Sequence, residues 1–223
     1  MTRPTQYSVI NLFREAHVSP EKWNQMPLEA DVARTTAVIQ RRGIRVIQVR
    51  NAHAALETLQ NTIPPNAEVM HGSSTTLIEI GYETLLKSGR SGWKDLHDII
   101  TAEDDETKRH ELRRRSVTAE YFISGVNAIA QTGEIVACDK SGSRVGAWAF
   151  AAKHLILISG VNKIVPTLED ALHRVREYAY PLEDVRARKA TGVSSQVGKC
   201  VILAHEAIEG RTSLVLINES LGY

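Results

Sequence analysis

A chain of 223 residues is long enough for one large α/β domain, alone or with a small appendage, and a core of that size needs no disulfide or metal staple. Lys and Arg (27) nearly balance Asp and Glu (26), which argues against a dedicated nucleic-acid binder, whose basic excess neutralises phosphates. The N-terminus shows no apolar signal core and the longest apolar runs, such as Leu155–Ile158, are of strand length, so a cytoplasmic protein without a membrane span is expected.

Helical and strand periods alternate along the chain, which points to an α/β fold with an open, mostly parallel sheet flanked by helices. Residues 5–17 and 29–42 read as helices, with Val32, Thr35 and Ile39 on one face of the second and Gly43 closing it. The β-branched run Ile44–Val49 reads as the first core strand. Asn51 caps a short helix carrying Leu56 and Leu59, and Pro64-Pro65-Asn66 turns the chain into a strand over Ala67–Met70. The loop His71-Gly72-Ser73-Ser74 follows and leads into a helix over about 75–87, where Thr76–Glu79 fits a capping box. Residues 103–115 form a polar helix with acids first and arginines last, an order that suits the helix dipole and a solvated face.

Residues 121–129, a Thr132-Gly133 turn and residues 134–139 read as a β-hairpin. Arg144–Lys153 looks helical and His154–Ser159 reads as a buried strand. Thr167–Asp170 caps an amphipathic helix with Leu168, Ala171, Leu172, Val175 and Ala179 on one face, which Pro181 interrupts. Two strand-like runs, Cys200–Ala204 and Thr212–Asn218, close the chain. The two cysteines, Cys138 and Cys200, lie far apart outside any Cys-x-x-Cys pair, so zinc and iron–sulfur sites lack their ligands; a lone disulfide is the alternative to two free thiols. The eight histidines form no metal signature.

The strongest local signal is the strand–loop–helix run through Gly72, Ser73, Ser74 and Thr75. Free N–H groups at a helix start favour an anion there, glycine lets it approach the backbone, and the hydroxyls add donors; plain N-capping is the competing reading. Arg144, Lys163 and Arg188, with Arg186 and Arg211, are candidate cations for a carboxylate or phosphate, each equally readable as a surface charge. His71, beside the loop, is the histidine placed to act as acid or base, or else packs at the strand end. Glu134 reads as an exposed turn residue.

Three stretches resemble the lactate-utilisation (LUD) domain family. These are Ala128-Ile129-Ala130-Gln131-Thr132-Gly133-Glu134, similar to the family's Ala-Glu-Thr-Gly-Thr turn; Lys163-Ile164-Val165-Pro166-Thr167-Leu168-Glu169-Asp170-Ala171; and the tail through Arg186–Ala190, Gly210-Arg211 and Glu219–Tyr223. The tail is similar to a compact subgroup. The resemblance spans 29–223, the expected LUD domain, and leaves 1–28 as an N-terminal helical segment. It implies a fold similar to ribose-5-phosphate isomerase, glucosamine-6-phosphate isomerase and CoA transferases. It also implies a place in lactate or other 2-hydroxy-acid oxidation as a subunit that carries no cofactor or cluster itself, beside iron–sulfur electron-transfer partners. In isomerases of this fold a similar Gly/Ser/Thr loop holds the sugar phosphate. In the CoA transferases a Glu before a similar turn is the covalent nucleophile; LUD proteins commonly carry Glu where this chain has Gln131, and an amide cannot take that role. Glu134, three residues on, is the remaining carboxylate. The expectation is thus a protein that binds a small anionic metabolite, with no nucleic acid or membrane partner. The alternative is a stand-alone, cofactor-independent, isomerase-like enzyme, and a homo-oligomer suits either.

Overall fold

The β-branched and apolar runs become strands in a computed structural model that describes residues 9–223. In chain order they are β1 (Arg45–Val49), β2 (Glu68–His71), β3 (Lys94–Asp95), β4 (Tyr121–Gly125), β5 (Ala128–Ala130), β6 (Ile135–Asp139), β7 (His154–Gly160), β8 (Ile164–Val165), β9 (Lys199–Leu203) and β10 (Thr212–Ile217). Six of them form one parallel sheet in the order β1-β10-β7-β4-β2-β3. The other four form a smaller mixed sheet, β8-β5-β6-β9, parallel between β5 and β8 and antiparallel elsewhere.

The large sheet is covered on both faces, which is why β7 is a continuous apolar run. Leu155 and Leu157 face one core with Ile129, Trp148 and Leu203, beneath the small sheet. Ile156 and Ile158 face another core, with Ala55, Leu59, Leu77 and Tyr82 from the helices Ala52–Thr62, Thr75–Glu79 and Tyr82–Lys87. Full burial of each such Leu or Ile contributes roughly 1.5–3 kcal/mol. A third cluster joins the small sheet to the helices Val9–Ala16, Pro20–Trp23 and Leu168–Arg174 and to the turn Val175–Ala179 through Leu12, Trp23, Val136, Ala171 and Tyr178. Residues 5–8 of the first expected helix lie outside the described residues. Among the described residues no helix is long and apolar enough to cross a membrane.

Several elements depart from the sequence reading, each for a local reason. The helix expected over 75–87 breaks at Ile80-Gly81, where Gly81 takes a φ of +83°. Its cap is Ser74, whose Oγ accepts from Leu77 N at 3.4 Å; the Glu79 carboxylate, instead of closing a capping box, accepts from Gly222 N at 2.7 Å. The run 121–129 is two strands in two sheets. The break falls at Val126-Asn127, whose carbonyls are taken by Lys163 (3.0 Å to Val126 O) and by the Arg174 guanidinium, so neither joins a ladder. The hairpin itself is β5–β6, turned at Gly133 with φ +103°. Pro181 does not end its helix. A π-helical turn over Val175–Ala179 passes without interruption into Tyr180–Thr191, and Pro181 sits in the first turn of that helix. Arg144–Lys153 likewise divides into a short α-helix, Ser143–Gly146, and a π-helical turn, Ala147–Ala151. Arg211 Nη2 caps that turn by donating to Ala147 O and Trp148 O at 2.9 and 3.0 Å.

Candidate functional site

Adjacent parallel strands β2 and β4 part company at their C-terminal ends. The chain leaving β2 enters the helix bearing Leu77 on one face of the sheet; the chain leaving β4 leads, through the small sheet, to Val145 and Trp148 on the other. Such a divergence opens a crevice at the carboxyl ends of the strands, the usual ligand position in open α/β sheets. Here it holds a cleft with about 230 Å³ of free space, reached by Gly72, Ser73, Ser74 and Thr75 after β2, by Gly125, Val126 and Asn127 after β4, and by Lys163 after β7. That is below the roughly 300–1,000 Å³ of a drug-sized pocket, so a small metabolite fits better than a dinucleotide.

Glycines make the approach. A Cβ on Gly125 would lie 2.3 Å from Ser74 Oγ, and one on Gly72 would lie 2.6 Å from Arg144 Cδ. The bare backbone thus lets the hydroxyl loop and Arg144 close on each other.

On one side the cleft is walled by cations whose side-chain partners are neutral. Lys163, 1% exposed, donates to Thr76 Oγ1 at 2.8 Å and to Val126 O at 3.0 Å. Arg144 donates to Gly125 O (2.8 Å), Asn127 Oδ1 (3.1 Å) and Cys138 O. Behind them Arg174, fully buried, donates to Trp23 O at 2.9 Å and to Asn127 O, and its Nη2 has no partner among the described residues. Of the ion pairs among the described residues, none includes Lys163, Arg144 or Arg174. Burial, then the charge on Arg174, pushes the Lys163 amine well below the usual lysine range, with Glu79 pulling weakly the other way. Burial lowers Arg174 to about 10.

At the cleft's other side Arg186 is already neutralised. Its Nε and Nη2 donate to Glu183 at 2.7 and 2.6 Å, and Tyr223 Oη donates to the same carboxylate at 2.7 Å. The tail presses on the hydroxyl loop: a Cβ on Gly222 would lie 2.3 Å from Thr76 Oγ1 and 2.9 Å from both Thr75 Oγ1 and Thr76 N. The helix behind the loop is a single turn, and Thr76 N at its start faces the tail.

Of the residues singled out in the sequence, Gly72, Ser73, Ser74, Thr75, Arg144 and Lys163 meet at this cleft. Arg188 lies outside its lining, exposed, and held by Asp184 and Ser194 at 2.9 and 2.8 Å. His71 turns away, stacked on His97 (4.7 Å between ring centroids) and edge-on to Tyr82 (5.3 Å) in the opposite core. Burial and the neighbouring His97 lower its pKa. Glu134 faces Arg42 at 2.7 Å, and its turn, with Gln131, is outside the cleft lining. Hydrogen bonds from Thr132 and Arg42 keep the Glu134 carboxyl below its ordinary value despite the opposing effect of desolvation.

The sequence reading missed Arg174, Asn127 and Tyr223. Arg174 carried a legible signal: it falls three residues after Ala171 and four before Tyr178, on the apolar face of its helix, where a charge is out of place. Arg113, on the helix read as a solvated face, reaches the cleft rim and donates to Ser141 Oγ at 2.9 Å.

The sequence profile of the LUD domain family matches residues 32–200. No curated protein matches the chain. Among solved structures, a DUF162 family protein from Deinococcus radiodurans is similar over 86% of this chain and 98% of its own, at 13% identity and a TM-score of 0.50, which is a likeness of fold. A ribose 5-phosphate isomerase from Plasmodium falciparum aligns over 52% of each chain, at 17% identity and a TM-score of 0.31.

Proposed function

This chain belongs to the LUD domain family, and on that premise we propose that its cleft binds a small anionic metabolite, a carboxylate or phosphate, in the service of 2-hydroxy-acid oxidation. The observation that carries the reading is Lys163, a buried amine on the cleft wall with neutral acceptors and, among the described residues, no carboxylate partner. A buried cation is costly unless paired. An anion entering the cleft would supply the missing charge to Lys163 and Arg144 together, while Ser73, Ser74 and Thr75 offer hydroxyl donors. In this reading the protein is the cluster-free subunit of a lactate-type oxidation system, with iron–sulfur subunits carrying the electrons. Neighbouring genes that encode Cys-rich electron-transfer proteins support that place; their consistent absence removes it.

The binding claim is tested by titrating the protein with inorganic phosphate, lactate and pyruvate, followed by thermal shift and calorimetry. At least one should raise the melting temperature of the wild type, and Lys163→Met, which keeps the side-chain volume, should weaken that ligand at least tenfold. A flat response to all three, or equal binding by Lys163→Met, overturns the reading.

One observation favours the second reading, a stand-alone isomerase-like enzyme on a small phosphorylated or carboxylated substrate. Lys163, Cys138, Glu183 and Tyr223 bring titratable groups of different ordinary pKa to one cleft, as proton-transfer chemistry requires. Turnover of a sugar phosphate by the isolated chain, lost in Lys163→Met, would select it.

A further inference from the structure

Two residues set aside by the reading above are brought face to face. Cys138 and Cys200 are the two cysteines of the chain, and β6 and β9 pair them as direct cross-strand partners. The register of that pair is fixed by where Cys138 spends its backbone groups. Its N–H donates to Asn127 Oδ1 at 2.9 Å and its C=O accepts from Arg144, both on the side away from β9. Val136, two residues earlier, likewise turns its C=O to Asn127 N at 3.0 Å. Cys138 and Cys200 therefore form a non-hydrogen-bonded antiparallel pair, in which Cα atoms lie about 4.5 Å apart and side chains project to the same face. A disulfide spans roughly 4.4–6.8 Å between Cα atoms, so a cross-strand pair at that spacing lies within bonding range.

The environments of the two thiols divide the labour. Cys200 is exposed on the outer strand of the small sheet, and Cys138 is half-buried and lines the cleft. Burial pushes the Cys138 thiol up to about 11 and raises Cys200 as well.

We propose that Cys138 and Cys200 form a reversible cross-strand disulfide, which makes the wall of the cleft responsive to thiol redox state. The oxidant is a low-molecular-weight disulfide. The Cys200 thiolate attacks one of its sulfurs, forming a mixed disulfide and releasing one small thiol. Cys138 then loses its proton and attacks the Cys200 sulfur, forming the protein disulfide and releasing the second small thiol. Two protein thiols are oxidised and one small disulfide is reduced to two thiols. The product removes the S–H donor of Cys138 from the cleft and ties that wall covalently to β9. Because both thiols are held protonated at neutral pH, exchange speeds up as pH rises.

The reduced, full-length protein is incubated with glutathione disulfide at about pH 8.5 and read by intact mass and peptide mapping. The wild type should lose two hydrogens, carry no lasting glutathione, yield a Cys138–Cys200 linked peptide and revert with reductant. Cys138→Ser, lacking the resolving thiol, should instead accumulate a glutathione adduct on Cys200. The proposal is overturned by a wild type that accumulates the adduct as readily as Cys138→Ser, or by one linked into dimers through Cys200. These readouts follow sulfur and not ligand, so they stand or fall apart from the anion-binding reading.

Discussion

Lys163 donates to Thr76 and Val126 and to no carboxylate, so its charge in the folded chain is set against burial and against Arg174. Its folded pKa lies well below the unfolded value. Between the two the unfolded chain binds more protons, and stability rises with pH. The wild type should therefore gain stability relative to Lys163→Met as pH is raised from neutral toward the ordinary lysine value of about 10.4. Urea unfolding at both ends of that range checks it, and a difference independent of pH would contradict it. His71 gives the same sign in an acid window. Its pKa is lowered by burial and by His97, against weaker pulls from Asp95 and Glu83, and its buried Nδ1 has no partner among the described residues. Protonation is thus harder in the folded state, and the wild type should lose stability as pH falls through about 6.5 and below. His71→Phe should blunt that loss in a thermal melt followed from neutral to acid pH.

The helix expected over 75–87 shows how far local pattern reaches. Its composition and hydrophobic spacing are legible; the break is not, because Gly81 adopts its left-handed φ to let two helices pack separately on the sheet, and Glu79 is drawn off to Gly222 at the far end of the chain. Gly81→Ala should cost about 1–2 kcal/mol for the forced left-handed residue, read from the midpoint of denaturant unfolding. Where a signal is wholly local the reading holds. Thr167 accepts from Asp170 N at 3.1 Å while Asp170 Oδ2 accepts from Thr167 N at 3.1 Å, the capping box written in Thr167–Asp170. Thr167→Ala should cost about 0.5–2 kcal/mol in the same measurement. The site divides along the same line. The Gly72–Thr75 loop is contiguous and legible, whereas Arg174 and Tyr223 join the site environment only through tertiary packing. Asn127 joins it because Lys163 and Arg174 take the carbonyls at the break between two strands that the sequence runs together. Glu134 misled because a strand–turn–strand motif gives no hint of which end of the sheet its turn will occupy.

Across the whole molecule the last residues lock the first half of the site. Asn162 receives Leu221 N at 3.1 Å, Glu79 receives Gly222 N at 2.7 Å, and Tyr223 reaches Glu183. Gly222→Ala would drive a methyl into Thr75 and Thr76 at a φ of +60°, so it should lower phosphate affinity while leaving the overall secondary structure intact. Calorimetry beside circular dichroism separates the two effects. The sheet order carries a consequence of another kind. β10, the last in chain order of the described strands, lies between β1 and β7 rather than at an edge. Until Thr212–Ile217 emerges from the ribosome, β1 lacks its partner and β7 shows an open edge of unpaired N–H and C=O groups to any other nascent chain. Such non-local closure makes for slow folding with a sticky intermediate. This protein should therefore depend on chaperones while it is being synthesised, and refold from denaturant with yields that fall steeply as its concentration rises.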